Sequence, residues 1–184
     1  ENGALIHQDS LKADGKSHIF KLTFPGTPGK LKFEFSTAIS PTISNFTLEG
    51  DYGVQMSNIG MRGSSGTIFG SMDRGVVAEA MNDLGVELII MQYGGNSVPF
   101  FKDSASVRNY ASYFKGQLTT LKAMRPSAAI VVIGPSDMSR MVDGIYETYP
   151  FLPYCVEQMK RQVWKPEQDI GIFTVLWVEK IQCR

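Results

Sequence analysis

The stretch from Gln55 to Asn96 restricts what this chain can fold into more than any other. It runs QMSNIGMRGSSGTIFG, then MDRGVVAEAMNDLG, then VELIIMQYGGN. The order is strand, glycine-rich loop, helix, apolar strand and a second glycine loop that ends in asparagine. Strand–helix alternation of this kind predicts βαβ units and a parallel sheet. Loops that follow two neighbouring parallel strands emerge on one edge of the sheet, where open α/β sheets bind ligands. Gly63 of the first loop and Asn96 of the second are therefore expected to converge.

Local signals fix the elements around these loops. Asp73 is a suitable N-cap, Val76, Val77, Ala80, Met81 and Leu84 form a helical stripe, and Gly85 stops it. Val86 to Met91 suits a strand buried on both faces. Ser104 or Ser106 is expected to cap a longer helix, with Val107, Tyr110, Ala111, Phe114, Leu118 and Leu121 along one side and Pro126 at its end. Ala128 to Ile133 reads as the next buried strand, left by the loop Gly134-Pro135-Ser136-Asp137. Pro150 and Pro153 open a further helix carrying Val156, Met159 and Val163.

The first third of the chain reads differently. From His18 to Phe24 the residues alternate, with Phe20, Leu22 and Phe24 on one face, and Leu31, Phe33 and Phe35 repeat the pattern after the turn PGTPG. An antiparallel hairpin is expected there, and Ile43 to Leu48 adds a third strand. Three short strands cannot bury both faces, so residues 1–53 read as part of a β-sandwich insert or an appendage. The composition changes character near Tyr52-Gly53. The expected organisation is a small antiparallel β region, 1–53, followed by an α/β domain, 54–184, whose last part, 161–184, is atypical.

Charge and cysteine content narrow the function. Lys+Arg and Asp+Glu both number 18, so no net field argues for a nucleic-acid partner or an anionic membrane surface. No apolar run reaches the roughly 18 residues of a membrane-spanning helix. Cys155 and Cys183 lack metal-ligand spacing; they read either as a disulfide or as two free thiols. No cofactor and no metal are expected. The opening ENGALIHQDS has neither an initiator Met nor a signal-peptide apolar region, and reads as an internal start.

The loop Asn58-Ile59-Gly60-Met61-Arg62-Gly63-Ser64-Ser65-Gly66 has three glycines, any of which could bring a backbone N–H close to a ligand. A tight strand-to-helix turn is the plainer reading. A phosphate loop fits poorly, because GxxxxGK[ST] is absent and the spacing differs from a dinucleotide fingerprint. Asn96 could serve only as a turn residue. Together, however, the loops offer a backbone N–H and a side-chain amide facing one space. Two neutral donors so placed are the chemistry of an oxyanion hole.

These loops resemble blocks II and III of the SGNH/GDSL hydrolases, a flavodoxin-like family of esterases and lipases that act on acyl esters, often carbohydrate-linked. The family's second block is an NxGxxG-like turn whose last glycine donates its N–H, matching Gly63. Its third block, GxN, matches Gly94-Gly95-Asn96. VVIGPSDMS is similar to its following strand and loop, where Asp137 reads as a loop cap. The likeness covers about Val54 to Lys160. It implies an α/β, flavodoxin-like parallel sheet flanked by helices and an oxyanion hole of Gly63 and Asn96. It also implies a small-molecule or glycan acyl ester as substrate and a secreted or periplasmic location.

The chain departs from that family at two points. Gln8-Asp9-Ser10-Leu11 nearly spells GDSL, but no apolar strand precedes Ser10, so it reads as a decoy. Relatives carry β-domains between blocks I and II, which would put the nucleophile upstream of Glu1. The family's DxxH histidine, which deprotonates the serine, also has no counterpart, since His7 and His18 both precede Gly53. Back-translation of the tail RQVWKPEQDIGIFTVLWVEKIQCR, read in a shifted frame, gives AGLEAGAGYWDFYSAMGGKNSMP. That string resembles the family's approach to its DxxH, so the tail is expected to be a frameshift product, which the gene's nucleotide sequence tests. The chain alone is expected to be inactive, and a homodimer could cover its unpaired sheet edges. The alternative is a non-catalytic carbohydrate-binding module with Tyr52, Tyr93 and Phe100 as stacking residues, or a remnant.

Overall fold

The structure, a computed structural model, describes residues 3–163. The chain forms two compact units, Glu1–Gly60 and Met61–Arg184. The second is an α/β unit. Helix α1 (Arg74–Asp83) precedes strand β1 (Leu88–Gln92), and helix α2 (Ser104–Met124) crosses over to strand β2 (Ala129–Ile133). A hairpin of β3 (Ser139–Val142) and β4 (Ile145–Thr148) follows, then helix α3 (Leu152–Val163). Strands β1 and β2 pair in parallel, from Leu88 opposite Ala129 to Gln92 opposite Ile133.

Each helix starts for a local reason. The Asp73 carboxylate accepts from the Gly75 and Val76 N–H groups, satisfying two of the donors that a helix start leaves unpaired. Gly85, at φ +59°, takes the left-handed position just past the C-cap Leu84. The cap of α2 is Asp103, not Ser104 or Ser106. Its carboxylate accepts from Ser106 N–H at 2.7 Å, while Ser106 Oγ accepts from Asp103 N–H at 3.3 Å. Serine two or three residues into the helix completes a capping box, and the longer acidic residue outside it holds the cap itself.

The core follows the α2 stripe. Val107, Ala111, Phe114, Leu118 and Leu121 meet Leu152, Cys155, Val156, Met159 and Val163 of α3, with Met91, Ile130 and Val132 from the strands. Cys155 is a buried free thiol, and burial pushes it up to about 12. Arg125 ties the end of α2 to the neighbouring elements, donating to Val86 O at 2.8 Å and to Asn82 Oδ1. Gln117, buried, accepts from Gly70 N–H at 2.8 Å. β1 is buried on one face only. Met91 is enclosed, whereas Ile90 on the opposite face is 53% exposed. A two-stranded sheet with one covered face leaves the alternate side chains outside.

The expected strands before Gly60 are not formed. No strand occurs among residues 3–60, which corrects both the antiparallel β region of 1–53 and the strand that was to open the Gln55–Asn96 unit. The turn PGTPG carries two prolines, each removing a ladder donor. Phe33 and Phe35 do meet Phe46, with ring centroids 5.1 and 6.3 Å apart, but the cluster stays open to solvent. Alternating side chains without a face to bury do not offset the entropy of ordering a ladder. In the segment 54–59, polar Gln55, Ser57 and Asn58 interrupt the apolar residues, so a strand buried on both faces is unsuited to it, and Met56 is 85% exposed.

The hairpin β3–β4 was not foreseen. Asp143 and Gly144 turn it at φ +50° and +83°, the pair of positive angles that a two-residue hairpin turn of this kind needs. No helix among the described residues is long and apolar enough to cross a membrane. The frameshift reading of the tail and the pairing of Cys183 concern residues 164–184, outside the described residues.

Candidate functional site

The site is built from two glycine loops at the C-terminal end of β1 and one face of α2. In the first loop Ser64 N–H donates to Met61 O at 3.2 Å, and Gly66 N–H to Ser64 Oγ at 3.2 Å. Gly66, at φ +74°, lies so close under Tyr93 that a Cβ there would stand 2.5 Å from its Cγ. In the second loop Gly94, at φ +113°, is pressed against Pro135, where a Cβ would meet Cδ at 2.7 Å. Gly94 O accepts from Ser97 N–H at 2.9 Å and Val98 N–H at 3.1 Å, which turns the chain at Asn96. Both glycines are thus required by close approach as well as by backbone angle.

Side chains join the loops. Asn96 Nδ2 donates to Ser64 O at 2.9 Å, and Tyr110 OH donates to Ser65 O at 2.9 Å. Burial pushes the Tyr110 phenol well above its usual range, against a smaller lowering by Ser97, so it remains a neutral donor. Tyr93 packs between Phe69 and Phe114, at 6.2 and 6.3 Å between ring centroids. Tyr93 is thus a packing residue under the first loop.

Gly63 and Asn96 line one cleft of about 660 Å³. Ser65 and Thr67 continue its first wall, Ser97, Phe100 and Phe101 its second, and Ser106, Asn109, Tyr110 and Tyr113 of α2 its third. Gly63 N–H makes no hydrogen bond among the described residues. Asn96 spends one amide hydrogen on Ser64 and keeps a second. Both candidate donors thus belong to residues that line the cleft, and both have donor capacity to spare.

Other residues singled out from sequence lie elsewhere. Ser10 N–H donates to Asp9 Oδ1 at 2.7 Å, and the Ser10 hydroxyl has no hydrogen-bond partner among the described residues. His18 Nε2 is 2.8 Å from Asp14 Oδ1, and this contact, the largest cause, lowers the Asp14 pKa. Among the described residues no serine is hydrogen-bonded to a histidine. Asp137 is exposed and makes no cap hydrogen bond. Of the expected stacking residues, Phe100 lines the cleft.

The sequence reading missed the α2 wall. Ser106, Asn109, Tyr110 and Tyr113 are spaced i, i+3, i+4, i+7, a second stripe beside the core stripe. That spacing was readable, but a single polar stripe on a helix normally means solvent. Among the described residues no three His, Cys, Asp or Glu side chains are placed to hold a metal ion. No protein-family model and no curated protein matches the chain.

Proposed function

We propose that the cleft is the oxyanion half of an SGNH-type acyl-ester hydrolase site, carried on a sheet of flavodoxin-like kind. The observation that carries this reading is the junction of the loops. Asn96 and Ser64, 32 residues apart in sequence, are joined at 2.9 Å, and Asn96 and Gly63, the residue before Ser64, line the same cleft. When a nucleophile attacks an acyl carbonyl, negative charge collects on the oxygen. Neutral donors fixed in advance stabilise that charge without reorganising, and one such donor is typically worth roughly 2.7–4 kcal/mol. The substrate class is an acyl ester, carbohydrate-linked esters included. The chain's only histidines, His7 and His18, lie in the first unit, and this chain alone is expected to turn over p-nitrophenyl acetate at the background rate.

Methylphosphonate, a tetrahedral oxyanion, tests the donors without needing a nucleophile. Its titration should shift the Gly63 amide and the Asn96 side-chain amide in nitrogen–proton spectra, and Asn96→Ala should abolish the response at Gly63. Absence of any shift at these two groups would refute the reading. A second reading, a non-catalytic glycan-binding module, is favoured by the exposed Phe100 at the cleft. Glycan binding that survives Asn96→Ala, with no methylphosphonate response in the parent chain, would select it.

A further inference from the structure

Residues 61–67 carry the first wall of the cleft, and no strand precedes them, so no sheet sets their position. Among the described residues, two side chains alone tie this segment by hydrogen bonds to the rest of its unit: Asn96 through Ser64 O and Tyr110 through Ser65 O. Its other hydrogen bonds, Ser64 N–H to Met61 O and Gly66 N–H to Ser64 Oγ, are internal. Asn96 is itself a candidate donor to a ligand. Tyr110 is not, because its one hydrogen is committed to Ser65 O at 2.9 Å. Ser97, 8% exposed, hydrogen-bonds the same phenol through its side chain, and toward Ser97 the phenol oxygen can only accept. Two consecutive residues of the first loop, Ser64 and Ser65, are therefore joined to two consecutive residues of the second, Asn96 and Ser97, the latter pair through the Tyr110 oxygen. The Tyr110 ring itself packs as a phenylalanine would. It lies against Phe101 and Phe114, with centroids 5.6 and 6.1 Å away, and buried Val107 and Phe114 are its neighbours one turn to either side on α2. The hydroxyl adds nothing to that packing, and taking it out of water is unfavourable unless it is hydrogen-bonded. Its bonds go to the two loops.

We propose that Tyr110 is a positioning residue of the cleft: its hydroxyl holds the first loop to the second and so keeps the Asn96 amide on Ser64 O. The oxyanion role of that arrangement rests on the ester-hydrolase reading, whereas the tie between the loops does not. Donors stabilise a developing charge best when they are fixed beforehand. A loop that must be ordered as the ligand arrives subtracts that ordering from the affinity. A hydroxyl that accepts from one group while donating to another is a stronger donor than an isolated one, which suits it to hold a segment that no strand anchors. Removing the oxygen alone leaves both Ser65 O and the Ser97 hydroxyl without this partner.

The full chain and its Tyr110→Phe variant are compared in nitrogen–proton spectra, since phenylalanine keeps the ring and removes only the oxygen. Without ligand, the Asn96 side-chain amide should exchange with solvent roughly fivefold faster in Tyr110→Phe, the weight of one neutral hydrogen bond. The Asn109 side-chain amide, on the same cleft but outside the tie, should keep its rate. Ser97→Ala removes the other end of the chain of hydrogen bonds and should act in the same direction; it carries the same measurements if Tyr110→Phe does not fold. Val163→Ala loosens the core at the end of α3 and should leave the Asn96 rate alone. Methylphosphonate should bind Tyr110→Phe roughly fivefold more weakly than it binds the parent. The proposal is overturned if Asn96 exchanges in Tyr110→Phe as it does in the parent, or if Asn109 speeds up as much. It is overturned equally if Val163→Ala reproduces the effect, since lost stability alone would then explain it, or if methylphosphonate binds variant and parent alike. Faster exchange at Asn96 with no methylphosphonate response in the parent upholds the tie and sinks the ester reading. A methylphosphonate response in the parent with unchanged exchange in the variant overturns the role of Tyr110 alone.

Discussion

At the scale of single residues, Gly63 and Gly66 share a backbone angle and differ in surroundings. Both sit near φ +75°, at +76° and +74°. A Cβ at Gly63 meets nothing within 4 Å, whereas one at Gly66 would strike Tyr93 at 2.5 and 2.7 Å and Phe114 at 3.0 Å. Gly63→Ala should therefore cost only the left-handed penalty, about 1–2 kcal/mol. Gly66→Ala adds overpacking against two rings of the core and should cost about 3–5 kcal/mol in all. Urea unfolding followed by circular dichroism measures both. Equal midpoints for the two variants would show that Tyr93 swings aside and that the loop is not clamped. The difference bears on function, because a clamped Gly66 fixes the neighbouring Ser64 carbonyl that Asn96 binds.

At the scale of elements, α2 carries two jobs on two faces, and its start is exposed to acid. The Ser106 backbone N–H, and then its side chain, hold the Asp103 carboxyl below 3.8. A depressed carboxyl stabilises the folded state above its unfolded value and stops doing so as pH falls through the folded value. The melting temperature of Asp103→Ala should therefore lie below the parent's at neutral pH, and the gap should narrow once pH drops under 3.8. A gap that stays constant into acid would mean that the charge on the cap contributes nothing. Helices α2 and α3 were legible because their periodicity coincides with a face that is actually buried. Phe20, Leu22, Phe33 and Phe35 show equally good alternation, yet they form no strand, since alternation does not say whether a partner face exists. Asp143-Gly144 is the reverse case, a readable turn signal between apolar residues. In the cleft, Gly63 and Asn96 are expected together on the premise that each loop follows a strand; only the second does, and the loops are joined instead by the Asn96–Ser64 hydrogen bond. Asn109 and Tyr113 were not legible, because nothing local distinguishes a polar stripe facing a cleft from one facing water.

At the scale of the molecule, the two units differ in what protects their backbone. The described part of the second unit holds a buried cluster built from α2, α3 and both parallel strands, with helical or ladder hydrogen bonds through those elements. Among the described residues of the first unit no helix or strand forms and none is fully buried, and the ring contacts of Phe33, Phe35 and Phe46 remain open to solvent. A protease needs an extended, accessible stretch of several residues, and the free energy of exposing one is near zero where the backbone is already unpaired. Cleavage inside α2 requires opening the core that Phe114, Leu118 and Leu121 anchor. Brief digestion with trypsin should accordingly cut at Lys12, Lys16, Lys21, Lys30 and Lys32 before it cuts at Arg108, Lys115 or Lys122, as mass spectrometry of the early fragments would record. In mild urea, below the unfolding midpoint, the first group should be cut at a nearly unchanged rate, while cleavage in α2 should accelerate as its opening becomes more populated. Early cuts in α2, or protection of the lysines before Gly60, would show that burial is distributed between the units otherwise than described.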